Sequence, residues 1–378
     1  MSAKVVIFYK SMPQYRQTFF ERLRAALAVK GIELVLVYGQ PVQRESVKGD
    51  SVELAWAHKV NNVHLSLGSR TLIWQPVLRF VRGADLIIVE QASKLLINHL
   101  LWAMRPIAPY KLAFWGHGRN FQGHTSSVSG ESLKAFTSRS VDWWFSYNDL
   151  STKVIHEDIG FPIEKITTVQ NAIDTAALRA ARKVLTKEGL DALKRDLGLK
   201  GSNVAIYTGG MYEEKRLPFL LETCMLIKQK LPDFEILFLG SGVDKAVVER
   251  AAAEHDWIHY LGPKFGAEKV PYFALAKLML LPGLVGLGVL DSFSLGVPLV
   301  TTDIDYHSPE IDYLVDGTNG LIVKEHSADA YANAVIDLMN NDVLRKRMVI
   351  NCVDSSKIYT LEAMVERFAQ GVQDALSL

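Results

Sequence analysis

The chain has 378 residues, which exceeds the usual size of one hydrophobic core, so two domains of roughly 150–200 residues are expected. Hydrophobic residues make up 49% and charged residues 22%, which excludes a disordered or fibrous chain, and the longest apolar run, over 278–290, is too short for a membrane-spanning helix. The net charge of +1 conceals an asymmetry, because residues 1–180 carry +7 and residues 181–378 carry −6.

The first half of the chain alternates between strand-like and helix-like segments. Apolar β-branched runs of the buried-strand type predict strands at 4–8, 33–38, 85–90, 111–115, 141–147 and 166–169. Apolar residues at helical spacing predict helices at 14–30, 71–81, 94–104 and 149–159. Residues 39–68 are polar and show little periodicity.

The second half repeats this alternation after a polar, helical stretch at 171–200 that we interpret as the interdomain passage. Strands are predicted at 203–208, 234–239, 257–261, 278–281, 298–302 and 320–323. Helices are predicted at 217–229, 244–253, 268–276 and 289–294, and three more begin at 328, 343 and 361. Two such series predict an α/β protein with two doubly wound parallel sheets facing one another across a cleft, with ligand-binding loops after the strands.

The segment 278–303 reads as strand, loop, helix and strand. Gly286 and Gly288 fall at the strand-to-helix turn, where backbone N–H groups and the positive end of a helix bind anions such as phosphate. Asp291 is a lone carboxylate in this otherwise uncharged segment, and burying it requires a partner. A sugar diol is one such partner, and interaction with the dipole of its own helix is the alternative.

Gly209 and Gly210 follow the strand at 203–208, and Lys215 and Arg216 come just before the next helix. Glycines allow close backbone approach, and the two cations suit a diphosphate. The alternative is a glycine turn followed by solvated charges. Cations at a helix start oppose the dipole, which favours a functional role.

His117 lies between two glycines after the strand at 111–115, where it can donate or accept a proton near neutral pH. The alternative is a solvated loop residue. Asp303 and Asp305 form a weak Asp-x-Asp match to a metal site, but no third ligand is nearby, so no metal site is predicted. Walker, zinc and nucleophile-elbow motifs are absent from the sequence.

Taken together, these motifs resemble retaining glycosyltransferases of family 4, which have the GT-B fold. The resemblance covers nearly the whole chain. Asn171-Ala172-Ile173-Asp174 resembles the family's domain junction, and 209–216 its donor-phosphate segment. The remaining matches are the strand-end glycines at 239–242, the Glu-Gly-Phe-Gly-x4-Glu region at 283–291, the Gly-x-Pro segment at 296–301, the closing segments at 306–310 and 316–320, and the histidine loop at 115–120.

Three positions depart from the family pattern. Gly210 replaces a phosphate-binding arginine, for which Arg216 is near enough to compensate. Gly283 replaces a glutamate that in the family contacts donor-sugar hydroxyls, and Asp291 replaces the glutamate that holds the ribose. The resemblance implies a divergent working enzyme, and a non-catalytic nucleotide-sugar-binding protein is the alternative.

The resemblance implies transfer of a sugar from a nucleotide diphosphate sugar to an acceptor with retention of configuration, in cell-surface polysaccharide or glycolipid synthesis. An epimerase or a phosphorylase on the same fold is the competing class. Catalytic roles fall to His117, Lys215 and Asp291. Donor binding falls to Gly209, Gly210, Arg216, Gly240, Gly262, Gly286, Gly288, Leu290, Ser292 and Glu310, and the acceptor side to Tyr15, Arg16, Arg119 and Asn120.

The expected domains are 1–175 on the acceptor side, 176–360 for the nucleotide sugar, and a terminal helix at 361–378 that packs back on the first domain. No cofactor or metal is expected, and nucleic acid is not an expected partner. The basic first half suggests a phosphate-bearing, lipid-linked or saccharide acceptor and weak association with an anionic membrane, although scattered surface charge is the alternative. Only two cysteines and no signal peptide predict a cytoplasmic location.

Overall fold

The computed structural model describes residues 2–41, 51–67, 70–118 and 137–378, which form two compact units. Unit 1 comprises the described residues up to Asn171 together with Leu361–Leu378, and unit 2 comprises Ala172–Thr360. Each unit is built on a parallel sheet, so the predicted α/β class is confirmed. The division after Asn171 falls at the start of the motif that the sequence analysis placed at the domain junction.

Unit 1 contains a parallel sheet of seven strands among its described residues, in the order β3-β2-β1-β6-β7-β8-β9. Apart from Ala3, the hydrophobic residues of β1, β6, β7 and β8 are buried, as expected for strands covered on both faces. The strands are β1 (Ala3–Tyr9), β2 (Ile32–Tyr38), β3 (His58–Lys59), β4 (Val63–Leu67), β5 (Arg70–Trp74), β6 (Leu86–Glu90), β7 (Lys111–Gly116), β8 (Trp143–Ser146) and β9 (Ile166–Thr168). The helices are α1 (Gln17–Val29), α2 (Leu96–Met104) and α3 (Asp149–Lys153).

The helix predicted at 71–81 is wrong. Residues 70–74 instead form β5, which pairs antiparallel with β4, and only a 3-10 turn, Leu78–Phe80, follows. Thr71, Ile73 and Trp74 are β-branched or aromatic and favour a strand, while Pro76 blocks continuation of a helix. The helix predicted at 149–159 is α3 followed by a π-helical turn over Val154–Asp158.

The C-terminal helix (Leu361–Ser377) packs on unit 1. Phe368 stacks on Phe145 of β8 with ring centroids 4.2 Å apart and meets the edge of Trp115 at 5.0 Å. Gly371 permits this close packing, because a Cβ atom there would lie 2.2 Å from the Thr167 hydroxyl oxygen. The predicted return of this helix to the first domain is confirmed.

Unit 2 contains a six-stranded parallel sheet in the order β12-β11-β10-β13-β14-β15 within the described residues. Its strands are β10 (Asn203–Thr208), β11 (Phe234–Leu239), β12 (Ile258–Tyr260), β13 (Leu278–Leu280), β14 (Leu299–Thr302) and β15 (Gly320–Val323). Its helices are α4 (Thr175–Lys183), α5 (Lys187–Asp196), α6 (Leu217–Lys230), α7 (Lys245–Glu254), α8 (Val270–Leu275), α9 (Gly288–Leu295), α10 (Ala328–Asn340) and α11 (Asp342–Ile358).

The stretch interpreted as an interdomain passage belongs to unit 2, where it forms α4 and α5. Its first helix begins at a true N-cap, because the Asp174 carboxylate accepts a hydrogen bond from the Ala177 N–H at 2.9 Å. Among the helices that the structure describes, none is long and apolar enough to cross a lipid bilayer.

Strand order in unit 2 reverses between β10 and β13, which are hydrogen-bonded neighbours. Loops that leave such a pair diverge to opposite faces of the sheet and open a crevice at the carboxyl ends of the strands. The predicted phosphate-binding loops follow these two strands.

Candidate functional site

Glycines bring the loops after β10 and β11 into backbone contact. A Cβ atom at Gly240 would lie 1.9 Å from the Gly209 carbonyl oxygen, and the Gly240 φ of +147° also favours glycine. The N–H of Gly209 donates to the Leu239 carbonyl at 3.1 Å, and the Tyr207 hydroxyl donates to the Gly210 carbonyl at 2.7 Å. The predicted donor-binding glycines 209, 210 and 240 are therefore brought together, and Gly240 is required by the contact between the loops themselves.

Lys215 and Arg216 lie at the carboxyl edge of the sheet. Lys215 ends a 3-10 turn (Glu213–Lys215) and is buried, and its ammonium donates a hydrogen bond to the Leu284 carbonyl. Arg216 adopts the left-handed conformation, with φ 56°, and its guanidinium donates to the Thr302 hydroxyl at 3.0 Å. Because Lys215 is buried, the alternative of two freely solvated charges does not hold for it.

His307 joins the loops after β13 and β14, and the sequence analysis did not single it out. Its Nδ1 accepts the Val285 N–H at 3.0 Å, and its Nε2 lies 2.8 Å from the Thr302 carbonyl oxygen. These partners require a proton on Nε2 and none on Nδ1. Burial, assisted by the positive charge of Lys215, lowers the pKa of His307 and favours this neutral ring.

Asp291 is not a lone carboxylate. It lies in the first turn of α9, and its Oδ1 is 2.6 Å from the Lys269 ammonium, with both side chains largely buried. Within the part of the chain that the structure describes, its Oδ2 accepts no hydrogen bond. The carboxylate therefore forms a buried ion pair through one oxygen and leaves the other available for a hydroxyl group.

The other residues predicted to bind the donor are of two kinds: glycines at loops, and residues whose side chains are buried. Gly286 lies just before α9 and Gly288 is its first residue, and a Cβ atom at either position would meet neighbouring side chains only at ordinary contact distances. Gly262 follows β12, and its carbonyl accepts the Gly240 N–H at 2.9 Å. Leu290, Ser292 and Glu310 are buried, and the Ser292 hydroxyl donates to the Val297 carbonyl at 2.6 Å. The side chains of Leu290 and Ser292 therefore face the protein interior.

In unit 1, the His117 ring packs against Tyr147 with centroids 4.0 Å apart. Arg16 is fully buried, with its Nε donating to the Tyr9 hydroxyl at 3.2 Å and its guanidinium 4.9 Å from the centre of the Trp115 ring. Tyr15 is 41% exposed and remains available to a ligand. Arg119 and Asn120 lie outside the described residues.

Arg16 has no acidic partner among the described residues, and its NH2 group makes no hydrogen bond with them. Burial raises the pKa of Tyr9 well above its ordinary value, so this phenol stays neutral and does not compensate the charge. The guanidinium is instead stabilised by the faces of aromatic rings. Its contact with the Met364 sulfur at 3.8 Å places it under the C-terminal helix.

Asp303 and Asp305 are both exposed after β14. Within the ranges that the structure describes, no group of three or more His, Cys, Asp or Glu side chains is arranged to hold a metal ion.

Residues 202–341 match the family model described as glycosyl transferases group 1. The chain is 26% identical over 156 residues to the phosphatidyl-myo-inositol mannosyltransferase of Mycobacterium leprae, covering 40% of this chain and 41% of that protein. It is 25% identical over 185 residues to the alpha-D-kanosaminyltransferase of Streptomyces kanamyceticus, covering 47% of each. The matched region thus spans less than half the length of these curated relatives.

The fold also resembles that of the Anabaena protein Alr3699/HepE, solved in complex with UDP. The TM-score is 0.72 at 14% identity, with 99% of this chain and 100% of that chain covered. At this identity the likeness concerns the fold alone. It identifies the two-unit architecture as the GT-B fold of glycosyltransferases.

Proposed function

We propose that this protein transfers a sugar from a nucleotide diphosphate sugar to an acceptor with retention of configuration, because residues 202–341 match the family model described as glycosyl transferases group 1. The observation that carries the proposal is the grouping of Lys215, Arg216 and the start of α9 at the strand ends of unit 2. Two of the matched relatives transfer glycosyl groups by name, and the Anabaena structures hold UDP or UDP-glucose.

The proposed chemistry stabilises a departing diphosphate. The bond between the anomeric carbon and the diphosphate oxygen breaks, and a bond from the acceptor oxygen to that carbon forms on the same face. As the resemblance implies, the departing phosphate oxygen takes the acceptor proton. Lys215 and Arg216 offset the negative charge that develops on the diphosphate. As the resemblance implies, His117 lies near the reacting carbon of the donor sugar. We propose no cofactor and no divalent metal, because these cations supply the stabilisation that Mg²⁺ gives elsewhere.

Asp291 is the proposed ribose ligand. Its Oδ2 accepts no hydrogen bond from the described residues and is open to a ribose hydroxyl, while Lys269 compensates the charge through Oδ1. An aspartate is one methylene shorter than the glutamate of the resembling family, so the ribose lies closer to the α9 backbone. Gly286 and Gly288 permit that approach.

The acceptor is proposed to be lipid-linked, phosphate-bearing or a saccharide, in cell-surface polysaccharide or glycolipid synthesis at the cytoplasmic face of a membrane. The +7 charge of residues 1–180 supports an anionic partner. Arg79 and Arg82 are exposed. Arg22 is paired with Glu362 of the C-terminal helix and so contributes less net charge to such a surface.

A panel of nucleotide diphosphates and nucleotide sugars tests the proposal by thermal shift and by product analysis. Binding at 100 times the Kd stabilises the folded protein by about 2.7 kcal/mol. We expect a stabilising nucleotide diphosphate sugar and a glycosylated product with the donor's anomeric configuration, formed in the presence of EDTA. Conversion of the nucleotide sugar without an acceptor would show an epimerase instead, and loss of transfer in EDTA with recovery in Mn²⁺ would make Asp303 and Asp305 candidate ligands.

A further inference from the structure

Position 283 lies directly against the turn that carries Lys215. A Cβ atom at Gly283 would lie 2.3 Å from the Glu214 carbonyl oxygen and 2.4 Å from the Lys215 carbonyl carbon. Both are backbone atoms in a packed turn, so they cannot move aside as the end of a flexible side chain can. A carboxylate on residue 283 is therefore excluded by the packing of the two loops.

The same two loops are tied together by hydrogen bonds in both directions. The Leu284 N–H donates to the Glu214 carbonyl at 2.8 Å, and the Lys215 ammonium donates to the Leu284 carbonyl. These bonds fix the backbone of Glu214 beside position 283. Glu214 is thus a carboxylate-bearing residue whose backbone is held at this part of the strand edge.

The Glu214 carboxylate has an unsatisfied oxygen. Its Oε2 is buried and has no hydrogen-bond partner among the described residues. The groups whose electrostatic interactions place them near it are Tyr212 and Tyr306. A buried acceptor without a donor costs on the order of 1–3 kcal/mol, and more when it is charged, so a ligand that brings a donor is favoured.

We propose that Glu214 binds hydroxyl groups of the transferred sugar and thereby helps to select the donor. The inference rests on the proposed glycosyl transfer and names the ligand class of that site, a neutral polyhydroxylated sugar attached to a nucleotide diphosphate. Sugar hydroxyls are the donors that a carboxylate lacks. Because Lys215 follows directly in the chain, a sugar held by Glu214 lies beside the diphosphate that the lysine stabilises.

The test compares binding of a nucleotide with binding of the matching nucleotide sugar, using UDP with UDP-glucose and GDP with GDP-mannose. The variant Glu214→Gln keeps the shape of the side chain and removes its charge. Glu213→Gln is the matched control, because Glu213 is the neighbouring residue, is exposed and removes the same charge. The ligand pair is the one that the wild-type protein binds. For each protein, calorimetry gives the ratio of nucleotide-sugar affinity to nucleotide affinity within that pair.

We expect E214Q to lower nucleotide-sugar affinity by about tenfold, the effect of losing a hydrogen bond to a charged group, while nucleotide affinity changes by less than about twofold. E213Q should leave the ratio unchanged. Equal ratios in E214Q and wild type would overturn this inference and leave the proposed transfer intact. A wild type that binds neither pair would overturn the proposed function and this inference with it.

Nucleotide sugars that each lack one hydroxyl group provide an independent test of the contact with Glu214. Deoxy analogues of the bound nucleotide sugar should bind wild type more weakly at each hydroxyl that Glu214 accepts, and E214Q should show no further loss at those positions. Additive losses at every hydroxyl would contradict direct contact.

Discussion

The two units each place a buried cation after a strand, in very different surroundings. In unit 2, Lys215 lies among backbone carbonyls and polar loops, where its ammonium bonds the Leu284 carbonyl. In unit 1, Arg16 lies among aromatic rings and beside Met364 of the C-terminal helix. A cation near polar loops at strand ends can serve an anionic ligand, whereas one enclosed by rings serves packing. This comparison favours a packing role for Arg16, and its acceptor-side role stays a prediction.

The first prediction tests whether the buried charge of Lys215 in unit 2 serves the anionic ligand. Lys215→Met keeps the aliphatic stem and removes the charge that stabilises the leaving diphosphate. We expect transfer to fall by about 100-fold, the scale seen on removing one electrostatic stabiliser of a transition state. Steady-state kinetics with a confirmed donor measure it, and Lys245→Met, at an exposed lysine of α7, should retain wild-type activity. Wild-type turnover in K215M would remove Lys215 from the mechanism.

The second prediction concerns the matching residue of unit 1. Arg16→Ala removes a fully buried side chain and leaves a cavity beneath the C-terminal helix, so we expect unfolding free energy to fall by about 3 kcal/mol. Urea denaturation measures this loss, and nucleotide affinity, measured by calorimetry, should be unchanged. A stable R16A protein with weakened nucleotide binding would show that Arg16 serves the ligand rather than the packing of unit 1.

The third prediction separates the two interpretations of Asp291. Asp291→Asn should weaken nucleoside diphosphate binding by about tenfold if the carboxylate holds the ribose, since it removes a charged acceptor. Binding of the 2′,3′-dideoxy analogue should be unaffected by the same change. Asp329→Asn is the control, because Asp329 is an exposed acid in the first turn of α10, away from the predicted donor-binding residues. If D291N and D329N behave alike, Asp291 does not hold the ribose.

The fourth prediction uses the buried His307 that links two loops of unit 2. Its folded-state pKa is lowered by burial, so between that value and the ordinary 6.5 the unfolded chain binds more protons. Stability from this group is fully present above about pH 6.5 and is lost as pH falls toward the folded-state pKa. Unfolding free energies at pH 7.5 and pH 5 should therefore differ more in wild type than in His307→Gln. Equal differences would contradict the buried neutral ring.

The sequence predicts most strands of both sheets because they are continuous apolar runs, and it predicts the strand-end glycines because parallel strands place ligand loops at one edge. It misses β3, whose residues His58 and Lys59 are exposed. It does not predict contacts between residues far apart in the chain. Lys269 pairs with Asp291 across 22 positions, and Gly283 packs on the Glu214 backbone. Such contacts depend on how loops pack, which local periodicity does not encode.

The last prediction has the smallest expected effect per residue and tests whether the basic charge of unit 1 binds an anionic membrane. Arg79 and Arg82 are exposed in unit 1, and each basic residue near an anionic membrane contributes about 1 kcal/mol, which falls off within a Debye length. Neutralising both should lower binding to phosphatidylserine vesicles by roughly 30-fold at low salt, whereas Arg22→Gln should have less effect because Arg22 already pairs with Glu362. Co-sedimentation at low and high salt measures this binding, and neutral vesicles serve as the control. If wild type does not bind anionic vesicles even at low salt, the basic charge of unit 1 does not serve a membrane and a soluble acceptor becomes the better proposal.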